Sequence, residues 1–166
     1  MYATVESFLE DWKGESATTL RVLKLLTDAS LAQKVSPEGR TLGFIAWHLV
    51  LTIVEMGGKA GLTIAGPEED APPPAEAARI VEAYQEVSKL FAAQLRSRWT
   101  DRMLPEELPL YGTKWRRVSI LSSILRHQIH HRGQMTVLLR QAGLPVPGIY
   151  GPAREEWQQM GMKPMP

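Results

Sequence analysis

The chain has 166 residues, 44% of them apolar and 22% charged, which suits one soluble domain (1–166) with a single sizeable core. Nineteen basic residues against 18 acidic leave a net charge of +1, and that near balance argues against a nucleic-acid surface, which needs a basic excess on one face. There are no cysteines, so a disulfide scaffold, a thiolate metal site and a cysteine nucleophile are all excluded, and any metal must use nitrogen and oxygen ligands.

The N-terminus, Met1-Tyr2-Ala3-Thr4-Val5-Glu6, lacks the basic start and apolar run of a signal peptide. Val5, Phe8, Leu9, Trp12, Thr19, Leu20, Leu23 and Leu26 then recur at three- and four-residue steps, which predicts a first helix from Ala3 to about Leu31. Gly14 inside it points to a kink or a close helix contact. Ser36-Pro37-Glu38-Gly39 is a turn signal. A second helix is expected from Thr41 to Met56, stopped by Gly57-Gly58. Its most apolar part, Leu42 to Val54, contains His48 and is too short and too polar to cross a bilayer. No membrane partner and a cytoplasmic location are therefore expected.

Gly66 to Pro74 is a rigid polar connector with an acidic triplet, Glu68-Glu69-Asp70, expected to be a solvated loop. A third helix should cover Ala75 to about Trp99, with Ile80, Tyr84, Val87, Phe91 and Leu95 as its inner stripe. Asp101 to Lys114, with Pro105, Pro109 and Gly112, reads as an irregular connection. A fourth helix runs from Val118 to Gln141 with Gly143 as its C-cap, followed by a stiff turn-rich tail and a short helix from Ala153 to Met160. No strand pattern of useful length and no internal repeat is visible. The fold class is all-α: a four-helix bundle with long inter-helix connections, whose helix order the spacing leaves open.

The fourth helix carries Arg126-His127-Gln128-Ile129-His130-His131-Arg132-Gly133-Gln134. His127 and His131 are one turn apart, where two imidazoles can grip one ion. At about 100° per residue, Ile120, Ile124, His131, Gln134, Met135 and Leu138 fall within roughly 80° of His127, which places both histidines on the apolar stripe. A buried neutral imidazole needs partners, and a metal with an outer acceptor supplies them. A pair of hydrogen-bonded core histidines is the alternative. His130 lies about 60° to the other side and is expected at the stripe's edge, as a pocket wall or a group behind the ligands, with ligation of the ion as the lesser alternative. On the second helix, Phe44, Ile45, Thr52, Glu55 and Met56 lie within roughly 80° of His48, so this third histidine also sits on an apolar stripe. Glu55 is either a paired or ligand-binding carboxylate or a solvated one at the helix end. Arg116, Arg117, Arg126 and Arg132 point in different directions and read as a solvated rim. Three imidazoles from two helices would hold a divalent ion and leave positions open, as catalytic sites do.

Gly43-Phe44-Ile45-Ala46-Trp47-His48-Leu49, the Arg126–Met135 block, Leu139-Arg140-Gln141-Ala142-Gly143 and Pro147-Gly148-Ile149-Tyr150-Gly151-Pro152, in that order, resemble the DinB/YfiT family over essentially the whole chain. The resemblance implies a four-helix bundle, often a homodimer, with His48, His127 and His131 as ligands of a divalent metal. Related bundles include thiol-dependent enzymes that act on a small-molecule electrophile, so a low-molecular-weight thiol is one expected substrate.

For a metal enzyme the two candidate reactions differ in demand. Hydrolysis needs a general base beside the metal. The residue after His127 is Gln128, which cannot take a proton, so a metalloprotease of the His-Glu-x-x-His type is excluded. Glu55 is the base candidate that the spacing offers. Thiol transfer needs no protein base, because a metal can hold the thiol deprotonated. Gln134 and Tyr150 are further candidates for orienting substrate or water, against plain structural roles. All-nitrogen ligation points first to zinc or nickel, with manganese, iron or copper also compatible. The competing readings are a bundle in which the ion is purely structural and a dimerising module without metal.

Overall fold

A computed structural model describes residues 2–163; Met1 and residues 164–166 of the expected 1–166 domain lie outside them. Five α-helices and one hairpin follow in the order α1 (Val5–Leu23), α2 (Leu42–Lys59), α3 (Ala77–Arg98), β1 (Glu107–Leu110), β2 (Thr113–Arg116), α4 (Arg117–Gln141) and α5 (Arg154–Gln159).

Helix α1 starts at a capping box in which Thr4 Oγ1 accepts from Ser7 N. It buries Val5, Phe8, Leu9, Trp12, Thr19, Val22 and Leu23. The expected end at Leu31 is corrected to Leu23. Thr27 leaves the helical region and caps Ser30, opening a separate 3-10 turn over Asp28–Ala32, because a hydroxyl that bonds nearby backbone competes with continuing the helix. The expected kink or close contact at Gly14 is corrected too: α1 passes through it, and a Cβ there would meet nothing within 4 Å.

Helix α2 begins where Thr41 accepts from Phe44 N and runs through Gly57-Gly58 to Lys59, a turn beyond the expected stop at Met56. Gly57 is there for room. An added Cβ would lie 2.3 Å from Ile64 Cδ1, so the glycine lets the connector pack against the helix. The chain reverses at Gly61, whose φ of 86° suits glycine. The expectation that the Leu42–Val54 segment is too short and too polar to cross a bilayer is corrected: α2, extended to Lys59, is by length and composition alone among the described helices in being able to, yet 61% of it is buried inside the bundle.

All five expected stripe residues of α3 are buried. Its first turn is held from outside, since Asp28 Oδ1 accepts from Ala77 N at 2.7 Å. The connection expected to be irregular instead holds a 3-10 turn (Asp101–Met103) and the β1–β2 hairpin, in register Glu107↔Arg116 to Leu110↔Thr113. Tyr111 and Gly112 form its two-residue loop with φ of 49° and 77°, the left-handed pair that matches strand twist.

Helices α1 and α2 occupy opposite corners of the bundle, each packed on both α3 and α4. Glu6 pairs with Arg96, and Trp12 Nε1 donates to Ser88 O, so α1 and α3 run antiparallel. The contacts of His48 with His127 and of Ala60 O with Arg117 make α2 and α4 antiparallel as well. The core is built around Phe8, Trp12 and Phe91, whose rings lie 4.8–6.1 Å apart.

Candidate metal centre

Packing α2 on α4 brings His48 to His127 and His131. The ring centroids are 4.9 Å apart for His48–His127 and His48–His131, and 4.4 Å for His127–His131. One ligand nitrogen from each ring lies within 4.8 Å of the others. His48 Nε2 and His127 Nε2 are 3.0 Å apart. Two nitrogens on a tetrahedral ion at ~2.0–2.1 Å stand roughly 3.4 Å apart, a spacing that falls between the 3.0 Å of this pair and the 4.8 Å limit of the group.

The rings sit at the edge of the core. His131 is buried at 6% exposure, while His48 and His127 are half-buried. Phe44 and Gln134, both expected on the inner stripes, are exposed, so the stripe is open on one flank. Burial disfavours the imidazolium, and neighbouring rings add repulsion. His127 is pushed down from 6.5 to about 4, and His48 and His131 are lowered for the same first reason. All three rings are therefore neutral at pH 7, the form that ligates.

Gln134 decides which nitrogen of His131 is available. Its Oε1 lies 2.7 Å from His131 Nδ1, which places the proton on Nδ1 and leaves the Nε2 lone pair free. Gln134 Nε2 is 3.2 Å from His130 Nε2 and donates to it. His130 thus stands behind the trio as an exposed wall.

Glu55 is engaged elsewhere. It pairs with Lys59 and accepts from the Tyr111 hydroxyl at 2.8 Å. Burial raises its pKa, but the hydrogen bonds from Lys59 and Tyr111 outweigh this and the net direction is down. Tyr150 lies in a separate network. Its hydroxyl donates to Glu15 at 2.8 Å and accepts from Arg132. Arg132 is 1% exposed, which corrects its reading as part of a solvated rim; it pairs with Glu15 and donates to Thr19 and to the Glu15 carbonyl. Arg117, at the start of α4, is half-buried against Glu106. Gln128 is buried and donates to Leu49 O at 3.2 Å.

One cleft reaches the trio at His127, and a second lies beyond Gln134. The first, of about 590 Å³, runs along α4 and is lined by Trp115, Ser119, Ser123, Arg126, His127 and His130, among others. The other, of about 450 Å³, lies on the Gln134 side between Arg40, Val35, Ile45, Val137 and Leu138. The signal for the first was in the sequence: Ser119, Ser122, Ser123, Arg126, His127 and His130 follow helical three- and four-residue steps on a polar face.

An α-helical bundle that gathers three neutral imidazoles from two helices beside an open cleft defines a class of candidate metal-binding bundle proteins. Within that class the family is plain: the sequence model of the DinB family matches residues 1–163, and the chain belongs to it. It is similar to the uncharacterized protein YrdA of Bacillus subtilis (strain 168), 44% identical over 163 residues and 98% of each chain. The fold matches the crystal structure of a DinB-like protein from Bacillus cereus ATCC 10987, with 43% identity, a TM-score of 0.87, and coverage of 90% of this chain and 100% of that one. A DinB-like protein from Bacillus subtilis, YjoA, shares the fold at 15% identity and a TM-score of 0.68, covering 89% of this chain and 99% of that one.

Proposed function

We propose that this chain binds a divalent ion through His48, His127 and His131 and uses it in thiol-dependent transfer to a small electrophile. The observation that carries the reading is the convergence of three neutral ring nitrogens at the edge of a cleft, with no free carboxylate in the group among the described residues. The donor set fits zinc or nickel first, and also manganese, iron or copper. When bound, such an ion supplies the Lewis acidity that keeps a thiol sulfur as thiolate near neutral pH.

The protein's own groups have limited tasks in this scheme. The three imidazoles hold the ion, and Gln134 fixes the His131 ring. Among the described residues no fourth histidine or carboxylate joins the trio, which favours an open site over a closed structural one. Glu55, already ion-paired and shifted to a lower pKa, is a weak base at neutral pH, and this favours transfer over hydrolysis.

Elemental analysis tests the centre. Wild type is expected to carry stoichiometric metal and His48→Ala and His131→Ala to lose it; full metal in both variants would refute the assignment. The reaction is tested with glutathione and monochlorobimane. The sulfur forms a bond to carbon, the carbon–chlorine bond breaks, chloride leaves and the thiol proton goes to solvent. Turnover should fall to background when the ion is stripped and return when it is restored.

A further inference from the structure

We infer that the cleft along α4 is an anion subsite, in which Arg126 receives the carboxylate or phosphate of the small-molecule substrate while the substrate's reactive end lies at His127. This rests on the proposed transfer reaction for its meaning, but not for its test.

Three observations carry it. First, the cleft offers unused donors. Ser119 and Ser123 make no hydrogen bond among the described residues, so their hydroxyls are available. Arg126 is exposed and has no carboxylate within 4.0 Å among the described residues. Second, no acidic side chain lines the cleft. Asp11, which accepts from the Tyr2 hydroxyl at 2.9 Å, lies outside the cleft lining. A guanidinium flanked by hydroxyls, with no carboxylate in the cleft lining, matches the fork geometry of carboxylate and phosphate. Third, the same cleft reaches His127, so a molecule held by Arg126 extends directly toward the trio. Residues 126 and 127 are adjacent on one helix, which fixes their backbone positions relative to each other.

The cleft on the other side has a different character. Val35 and Val137 are 63% and 52% exposed and line it with Ile45 and Leu138, which suits the carbon skeleton of an electrophile. Its one cation, Arg40, already lies over the Phe44 ring, 5.0 Å from the centroid. The two clefts are divided by the bonded pair His130 and Gln134. Anion recognition therefore belongs to Arg126 and not to Arg40.

The test needs neither metal nor turnover. Metal-free protein is titrated separately with malonate and with inorganic phosphate, following the Trp115 indole N–H resonance, which is assigned with Trp115→Phe. Saturable shifts are expected with at least one anion, and the stronger of the two identifies carboxylate or phosphate as the preferred group. Arg126→Gln should weaken that binding about tenfold, the effect of losing one charge-assisted contact, and Arg40→Gln should leave it within about twofold. Absence of saturable shifts, or binding unchanged in Arg126→Gln, overturns the inference. In the transfer assay Arg126→Gln should raise KM for glutathione about tenfold with kcat nearly unchanged, and leave KM for 2-mercaptoethanol, which has no carboxylate, as it was. Anion binding without turnover for any thiol would count against the reaction and leave the subsite standing.

Discussion

Replacing Gln134 by Leu should weaken metal binding without unfolding the protein. Gln134 is exposed on α4, so its loss removes little packing. What it does contribute is the 2.7 Å contact from Oε1 to His131 Nδ1. That contact holds one tautomer and one ring orientation, and it makes Nε2 a better electron-pair donor. Removing such an outer partner lowers metal affinity by roughly 10–100-fold. At 1.36 kcal/mol per tenfold this is about 1.4–2.7 kcal/mol. Gln134→Glu keeps an acceptor at the same reach and strengthens it by charge, so it should bind at least as tightly as wild type. Affinities are read by competition with a chromophoric chelator, alongside melting curves of the metal-free proteins. A Gln134→Leu variant within twofold of wild type would refute the reasoning, and so would a Gln134→Glu variant as weak as Gln134→Leu.

Stability of the metal-free protein should depend on pH in a definite direction. Native His127 protonates near pH 4, against 6.5 for an ordinary histidine. Between those values the unfolded chain binds more protons, so stability is greatest above about pH 6.5 and declines as pH falls toward about 4. Melting temperatures in chelator should show this decline, and His127→Asn should flatten it. Carboxylates such as Glu155, held down to about 2 by Arg140, act in a lower window, below 4.5. The Arg132 pair should respond unequally to its two halves. Glu15→Ala strands a buried guanidinium that retains Thr19, Tyr150 and one carbonyl, and should cost about 3 kcal/mol. Arg132→Met leaves only a partly exposed carboxylate and should cost less. Urea unfolding that reverses this order would refute the account.

Helix type and helix faces were legible because periodicity is a local property. The stripe Ile80, Tyr84, Val87, Phe91 and Leu95 is buried throughout, and the spacing of His127 and His131 put both rings toward one point. Glycine was misread where its role lies in distant contacts. Gly57 looked like a stop and instead makes room for Ile64. The hairpin was missed because four-residue strands carry too little alternation to stand out. Arg132 looked like its neighbours Arg126 and Arg116, since nothing adjacent to it in sequence announces that Glu15, 117 positions earlier, will pair with it.

The linear order of residues was therefore sufficient to predict a mostly helical chain, most of its buried stripes and a three-histidine group. The folded molecule decided the rest. It put α1 and α2 at opposite corners, turned Glu55 to Lys59 and Tyr111, and opened one cleft at His127 and another beyond Gln134. The reason is physical. A helix face follows from a period of 3.6 residues, whereas pairing, exposure and charge neutralisation depend on which side chains from remote segments arrive within a few ångströms.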